Sequence, residues 1–257
     1  MGRIIAVANQ KGGVGKTTTI VNLSTCLAQE GRRVLVSDMD PQGNTTSGFG
    51  IDKNALSHTI YDLLLGEVYI EQIMKQTAVD GLRLLPANIH LAGAEIELVE
   101  TQRREYKLRE ILLNAKYLYD YLLIDCPPSL NLLTLNALCA ADSVLVPIQC
   151  EYYAMEGLSQ LLHTIDLVRK KLNPRLAVEG VVFTMFDART NLSAQVVDEI
   201  KNNLTEYIFK IIIPRNVRLS EAPSHGLPIT LYDEKSKGAE AYIQLAQELI
   251  SKEGSQP

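Results

Sequence analysis

The residues best suited to do chemistry in this sequence stand near its beginning, in the stretch NQKGGVGKTTT from Asn9 to Thr19. Glycines let backbone N–H groups turn inward around an anion, and a helix that starts after them adds a partial positive charge. Lys16 can then reach the terminal phosphates of a nucleotide, and the Thr17 hydroxyl can bind Mg²⁺. The stretch predicts a phosphate-binding loop; a glycine-rich turn with a chance Gly-Lys-Thr is the alternative.

The loop departs from the common phosphate-binding motif at its first position. That motif begins with glycine, but the matching residue here is Gln10, and a second lysine, Lys11, follows it. Taken alone, Lys11 is a solvated point charge at the mouth of the loop. The residues that we predict to surround the phosphates are Lys11, Gly12, Gly13, Val14, Gly15, Lys16, Thr17 and Thr18.

The elements that must position this loop alternate along the chain. Short apolar runs rich in Val and Ile predict strands, and apolar residues at three- and four-residue spacing predict helices between most of them, such as Ala154–Leu172 and Ser193–Leu204. The predicted strands are Ile4–Ala8, Val34–Ser37, Leu82–Leu85, Tyr121–Ile124, Ser143–Ile148, Val178–Phe183 and Ile208–Ile213. This order favours one α/β domain over residues 1–257, with a doubly wound, mostly parallel sheet flanked by helices. We expect residues 252–257 to form a disordered tail.

The composition argues against several other classes of protein. With 46% hydrophobic and 21% charged residues, a disordered or fibrous chain is disfavoured. The net charge of −5 gives no global attraction to DNA, so any DNA binding needs a local basic patch. Cys26 and Cys139 fall in apolar helical patterns and are predicted to be buried thiols. The apolar region Leu122–Ile148 is broken by Asp125, Pro127-Pro128 and Asp142, so we expect no membrane span and a cytoplasmic protein.

The sequence KGGVGKTTT resembles the deviant Walker A loop of the ParA/MinD superfamily of ATPases. In that family, the first lysine crosses a dimer interface to the nucleotide of the partner subunit. The resemblance implies that Lys11 is this signature lysine, that ATP and Mg²⁺ are the cofactors, and that a homodimer forms on ATP binding. A charge supplied in this way can stabilise the transferring phosphoryl group.

The match narrows to the chromosomal ParA type, also called Soj. The segments that resemble it are KGGVGKTTT, DMDPQGN, LLIDCPPSL, FTMFDARTNLS and IPRNVRLSEAPSHGLPI. The resemblance implies a weak, partner-stimulated ATP hydrolase whose ATP dimer binds double-stranded DNA without sequence preference on the nucleoid. A ParB-type centromere-binding protein is the implied partner, in chromosome segregation. Because the first predicted strand begins within a few residues of the start, we expect no added helix-turn-helix domain.

Three aspartates follow predicted strands in the segments that resemble the family. Asp38 and Asp40 lie in VLVSDMDPQGN, and Asp125 ends the apolar run in a segment that resembles a Walker B strand. A carboxylate that ends a buried strand is costly to desolvate unless it has a partner, and Mg²⁺ usually keeps several waters. We interpret Asp40 as orienting the attacking water, and Asp38 and Asp125 as supporting Mg²⁺ with Thr17. A solvated turn acid is the alternative for Asp38.

The loop after the last predicted strand supplies two further candidates. In ParA relatives, the matching proline and asparagine line the adenine pocket, which implies Pro214 and Asn216 here, although such a loop is often only a turn. Loop arginines at one end of a sheet could meet DNA phosphates without reading bases. The candidates for DNA contact are Arg189, Arg215, Arg218 and Lys252, with Lys235 and Lys237 in the same part of the chain. Each could equally be a solvated surface charge.

Three competing functions are considered. A MinD-like membrane ATPase needs a C-terminal amphipathic helix with Lys and Arg opposite bulky apolar residues. The C-terminal segment here has three glutamates, Glu240, Glu248 and Glu253, and one lysine, Lys252. We therefore expect that helix to pack on the domain, and we expect no membrane partner. An iron–sulfur reductase is disfavoured because Cys126 lacks the cluster context of that family. A scaffold without hydrolysis is disfavoured by the presence of an aspartate in the water-orienting position.

Overall fold

The structure is a computed structural model that describes residues 2–253. Within them, seven strands form one sheet in the order β3-β4-β2-β5-β1-β6-β7. Neighbouring strands are parallel, except that β3 runs antiparallel to β4. The strands are β1 Arg3–Val7, β2 Val34–Asp38, β3 Lys75–Gln76, β4 Leu82–Leu85, β5 Tyr121–Asp125, β6 Ser143–Gln149 and β7 Ala177–Thr184.

Helices connect the parallel strands and cover both faces of the sheet. They are α1 Lys16–Gln29, α2 Asn44–Gly48, α3 Ile60–Leu65, α4 Ile70–Ile73, α5 Leu91–Glu97, α6 Lys107–Ala115, α7 Leu132–Ala140, α8 Ala154–Lys171, α9 Asn191–Asn203, α10 Val217–Glu221, α11 Ile229–Tyr232 and α12 Lys237–Glu253. Alternate strand residues enter two separate cores, because successive side chains of a strand point to opposite faces. One core takes Ile5 and Val7 against α1 and α12, and the other takes Ile4 and Ala6 against α7 and α8. The predicted doubly wound sheet is confirmed.

One predicted strand, Ile208–Ile213, is wrong. The N–H groups of Phe209 and Ile213 donate to the Val181 and Phe183 carbonyls of β7, at 2.9 Å and 2.8 Å. Two isolated bridges, Val181 with Ile208 and Phe186 with Pro214, stand where a continuous ladder was predicted. Between these bridges, the backbone N–H groups of Lys210 and Ile211 donate to the carboxylate of Glu248 in α12, at 2.9 Å and 3.2 Å. A side chain thus takes the hydrogen bonds that a continuous ladder would need.

Two further differences concern short or terminal segments. The pair Lys75–Gln76 forms β3 although its two polar residues give no apolar pattern to recognise. The helix α12 continues to Glu253, so the predicted tail cannot include residues 252 and 253; residues 254–257 lie outside the described part of the chain.

The C-terminal helix α12 buries its apolar side chains. Tyr242, Leu245 and Leu249 join the core that contains α1, and the Tyr242 hydroxyl lies 3.2 Å from the Thr19 hydroxyl. This face is the one that a membrane-binding helix would have to expose. Nowhere between residues 2 and 253 is a helix long and apolar enough to cross a bilayer.

We expect Leu245→Ala to lower the free energy of unfolding by about 2–5 kcal/mol, because it leaves a cavity between α12 and α1. Urea denaturation measures the loss. Leu231→Ala is the matched control, since this leucine is 43% exposed and its truncation should cost much less. Equal losses for the two variants would contradict the packing assigned to α12.

Candidate nucleotide site

The glycine-rich loop connects the end of β1 to the start of α1 and is fixed from both sides. The Asn9 side chain donates to the Pro147 carbonyl of β6 at 2.8 Å and accepts from the Lys11 backbone N–H at 3.0 Å. On the other side, the Thr184 hydroxyl at the end of β7 donates to the Val14 carbonyl at 2.8 Å. Two neighbouring strands therefore set the shape of the loop.

The glycine-rich loop leads into α1 without capping the N–H groups of its first turn. Gly13 and Gly15 have φ of 75° and 87°, which favour glycine, and Gly15 directly precedes the helix. Within the described residues, no side chain caps this helix end, and no acidic residue lies in its first turn. The first N–H groups of a helix have no partner within it and carry a partial positive charge. The loop is therefore a candidate anion-binding site.

Lys16 brings a buried positive charge to this anion-binding site. Its ammonium donates to the Lys11 carbonyl at 3.1 Å, and the residue is only 7% exposed. Burial lowers its pKa, and the negative charges of Asp125 and Asp40 oppose that effect. The cavity beside it is lined by Gly12, Gly13, Gly15, Lys16, Thr17, Thr18, Asp40, Gln42, Asn44, Pro128 and Met185. An anion in this cavity would meet a partly desolvated ammonium.

Asp125 ends β5 as a fully buried carboxylate with uneven hydrogen bonding. Its Oδ2 accepts from the hydroxyls of Thr17, at 2.8 Å, and Thr45, at 2.6 Å. Its Oδ1 is buried and has no hydrogen-bond partner within the described residues. Asp38, also fully buried, is its register partner on β2. Two adjacent buried carboxylates and an unsatisfied oxygen beside a threonine hydroxyl fit a hard divalent cation, which takes oxygen ligands.

Asp38 and Asp40 occupy different environments despite their closeness in sequence. The Asp38 carboxylate accepts from the N–H and hydroxyl of Thr46, at 2.9 Å and 2.7 Å, and from the Asp40 N–H at 3.2 Å. Asp40 instead lines the cavity beside Lys16, with one carboxylate oxygen held by the Gln42 N–H at 2.9 Å. Asp38 therefore orients the loop that carries Asp40, and Asp40 faces the anion-binding site.

A second cavity of about 170 Å³ adjoins the first and contains the two residues predicted for base binding. Pro214 and Asn216 line it together with Gly15 and Thr18 of the loop. The Asn216 Oδ1 also accepts from the N–H groups of Arg218 and Leu219, which caps α10. The structure thus brings these residues beside the phosphate loop.

Three residues of the site were missed from the sequence. Thr45 binds Asp125, Thr184 holds the loop, and Met185 lines both cavities with the left-handed φ of 51° that a non-glycine residue rarely adopts. The hydroxyl pair in GNTT was a usable signal for Thr45. Thr184 and Met185 had only their position after a predicted strand.

Thiol chemistry has little support. The four cysteines are buried and free, which confirms the expectation for Cys26 and Cys139. Burial raises the pKa of Cys26 to about 12 and that of Cys150 to about 11. In the chain from Gly2 to Glu253, no group of three or more His, Cys, Asp or Glu side chains is placed to hold a metal ion.

Comparison with known proteins identifies the family. A family profile described as an AAA domain matches residues 2–178. The sporulation initiation inhibitor protein Soj of Bacillus subtilis is 59% identical over 98% of this chain and 99% of its own. The chromosome partitioning protein ParA of Myxococcus xanthus is 55% identical over 98% of this chain and 89% of its own. The chain belongs to the ParA/Soj family of chromosome-partitioning ATPases.

Solved structures agree with this family assignment. A Mycobacterium smegmatis protein described as cobyrinic acid a,c-diamide synthase, solved with bound ADP and magnesium, has a TM-score of 0.88 at 41% identity and covers 99% of this chain and 96% of its own. The cell division ATPase MinD of Pyrococcus furiosus has a TM-score of 0.81 at 28% identity and covers 98% and 100%.

The basic residues predicted for DNA contact in this ParA/Soj family member do not form one group. Arg189 and Arg218 follow β7 on exposed segments, where Asp187 and Glu221 pair with them. Lys252 instead pairs with the buried Glu179 near the start of β7 and lies 4.2 Å from the centroid of the Tyr207 ring. That end of β7 is opposite the loop arginines, so Lys252 lies apart from them, and its contact with DNA stays a prediction.

The buried carboxyl pair predicts an unusual pH dependence of stability. Burial, and then the charge of Asp125, raises the pKa of Asp38; burial also raises the pKa of Asp125. A carboxyl whose folded pKa exceeds its unfolded value stabilises the fold at low pH, and the contribution is lost as pH rises through the folded pKa. Without metal, this pair should therefore weaken the fold as pH rises from about 4 toward neutrality.

Asp38→Asn removes one of the two buried carboxylates. Between about pH 5 and about pH 8, the variant should therefore lose less free energy of unfolding than wild type, by on the order of 1 kcal/mol or more. Urea denaturation in a chelating buffer, at about pH 5 and about pH 8, gives the difference between wild type and variant at each pH. Asp80→Asn, an exposed turn residue, is the control. A difference that does not change with pH would contradict the assignment.

Proposed function

We propose that this chain is a Mg²⁺-ATP-dependent dimerisation switch with slow ATP hydrolysis, which acts in chromosome segregation. The observation that carries the proposal is the junction of two cavities: the one with Pro214 and Asn216 and the one with Lys16 and Asp40 share Gly15, Thr18 and Met185. A nucleoside in the first cavity would place its phosphates in the second. The ADP and magnesium in the M. smegmatis structure support the same ligand here.

In this proposal, the protein acts by position and charge. The open N-terminus of α1 and Lys16 bind the phosphates, and Thr17 and Asp125 hold Mg²⁺, with Asp38 behind them. Mg²⁺ would neutralise charge that develops on the phosphates. Asp40, fixed by the Gln42 N–H, orients the water that attacks the terminal phosphate. The cysteines take no part, because their thiols are buried and burial raises the pKa of thiols such as Cys26 and Cys150.

The proposed dimer follows from the position of Lys11. Although it belongs to the loop, Lys11 is outside the set of described residues that line the phosphate cavity, and its side chain is exposed at the rim. An ammonium in this position can complete the site of a second copy that docks face to face. Closing two copies would also double a weak basic patch of Arg189, Arg215 and Arg218, so that binding to nonspecific double-stranded DNA depends on ATP through avidity.

The partner and the place of action are proposed from the family. The name of the M. xanthus relative, a chromosome partitioning protein, supports a role in chromosome partitioning. From the family resemblance we further propose a nucleoid-associated protein of the cytoplasm whose hydrolysis is stimulated by a ParB-type centromere-binding protein. Hydrolysis then returns the dimer to monomers. ATP drives this cycle only through its preference for the closed form.

Two other functions have less support. A MinD-like membrane ATPase would have to release the apolar face of α12, which is buried against α1. A diamide synthase, the printed description of the M. smegmatis protein, would need a source of ammonia, and the raised thiol pKa values disfavour release of ammonia from an amide by a cysteine.

The test of the proposal is Lys11→Ala. We expect this variant to bind ATP but to stay monomeric, because the charge that completes the second site is missing. Sedimentation velocity with a slowly hydrolysed ATP analogue measures the fraction of dimer. Lys16→Ala, which should lose nucleotide binding, gives the sedimentation of a protein with an empty site. Lys171→Ala, an exposed lysine at the end of α8, is the control for a lost surface charge. A stable ATP dimer of Lys11→Ala would refute the in-trans role.

A second prediction concerns Asp40→Ala. Loss of the water-orienting carboxylate should reduce ATP turnover on the order of 10²-fold or more and leave a long-lived dimer on DNA. Co-sedimentation with random-sequence DNA, and separately with lipid vesicles, measures what the trapped dimer binds. Asp80→Ala is the matched control. Wild-type turnover by Asp40→Ala would reassign the role, and binding to vesicles alone would favour the MinD-like alternative.

A further inference from the structure

The side chain of Lys11 already has a partner within its own subunit. Its ammonium forms an ion pair with Glu151, and the two side chains are 42% and 45% exposed. Lys11 also uses its backbone, since its carbonyl accepts the hydrogen bond from Lys16 described above. One residue therefore connects the buried lysine of the phosphate site to an acidic group outside it.

Both members of the ion pair are attached to the same strand. Asn9, which holds the Lys11 N–H, is itself bound to the Pro147 carbonyl of β6. Glu151 is the second residue after the end of β6, and its N–H donates to the Gln149 carbonyl at 2.8 Å. The strand thus places the carboxylate where it meets the Lys11 ammonium at the rim, outside the phosphate cavity.

We propose that Glu151 is a positioning residue, which holds the ammonium of Lys11 on its own subunit until a second copy takes it. The inference rests on the proposed function, because it assumes that Lys11 completes the site of a partner. Lys11 cannot pair with Glu151 and reach into a second subunit at once. Each subunit must therefore give up one ion pair when the dimer closes.

Nucleotide binding acts on the same residue. A phosphate in the cavity attracts the Lys16 ammonium more strongly than a neutral carbonyl does, because charge-assisted hydrogen bonds are the stronger kind. The Lys11 carbonyl then loses its bond from Lys16 at the time when the Lys11 side chain is needed elsewhere. The ion pair with Glu151 still holds the Lys11 side chain, and its strength sets how readily a nucleotide-bound subunit dimerises.

The size of the effect follows from the exposure of the pair. Exposed ion pairs contribute little, and a symmetric dimer loses two of them. Removal of Glu151 should therefore lower the Kd of the ATP dimer by about two- to thirtyfold. The gain should shrink with added salt, because screening weakens the pair in the wild-type monomer.

The experiment compares dimer Kd values by sedimentation equilibrium with a slowly hydrolysed ATP analogue, at low and high salt. We expect Glu151→Gln to dimerise more tightly than wild type, and Glu151→Asp, which keeps the carboxylate, to stay close to wild type. Glu156→Gln is the matched control, since this exposed glutamate in the first turn of α8 loses the same charge without touching Lys11. Melting temperatures verify that each variant is folded.

A double variant separates a positioning role from a general change of the interface. In a Lys11→Ala background, Glu151→Gln should bring no gain in dimerisation. The inference is overturned if Glu151→Gln dimerises no more tightly than wild type, or if its tighter dimerisation persists without Lys11. In either case, a wild-type dimer that forms with ATP leaves the proposed function intact. If wild type and Glu151→Gln both stay monomeric with bound nucleotide, both proposals fail.

Discussion

The carboxylate of Asp125 is the constraint on which the site depends. It ends the central strand β5 fully buried, with two threonine hydroxyls on one oxygen and no hydrogen-bond partner within the described residues on the other. Such a group is costly in an apolar sheet unless a cation shares it. The threonines that bind it come from the start of α1 and from α2, so the same bonds join the phosphate loop to the Asp38–Asp40 segment.

The parallel sheet makes this convergence possible. Strands β1, β2, β5, β6 and β7 all end at one edge of the sheet. Asp125 is the last residue of β5, and the other four strands are followed by Lys16, Asp40, Glu151 and Met185. The opposite edge carries a different kind of charge. There Glu179 is buried and paired with Arg3 and Lys252, and these partners lower its pKa against the effect of burial. At the edge with Glu179, the buried charge is paired within the protein. At the edge with Asp125, charged groups, and an oxygen that has no hydrogen-bond partner in residues 2–253, face the candidate site.

The sequence predicted the elements whose signals are local. The strands β1, β2 and β4 to β7 appear within two residues of their predicted bounds, because continuous apolar runs specify strands buried on both faces. The glycine-lysine-threonine spacing located the phosphate loop for the same reason, since all its parts are neighbours in the chain. The confirmed family then followed from the same segments.

What failed depended on contacts between distant residues. The run Ile208–Ile213 is as apolar as a strand, but Glu248 from α12 takes two of its N–H groups. The ion pair of Lys252 in α12 was not foreseen, because its partner, Glu179, lies far away in the chain, on β7. Thr184 gave no signal beyond its position after a predicted strand, since its bond to the loop joins residues that only folding brings together.

The hydrogen bonds between Glu248 and the segment before Pro214 connect the C-terminal helix with the base-sized cavity. That segment leads into the wall of the base-sized cavity, and it is held by the C-terminal helix where a strand neighbour would otherwise hold it. A ligand that binds only the ordered wall stabilises whatever orders it. Fraying of the last helix and occupancy of the base cavity are therefore thermodynamically linked, so that a filled cavity slows hydrogen exchange at the far end of the chain.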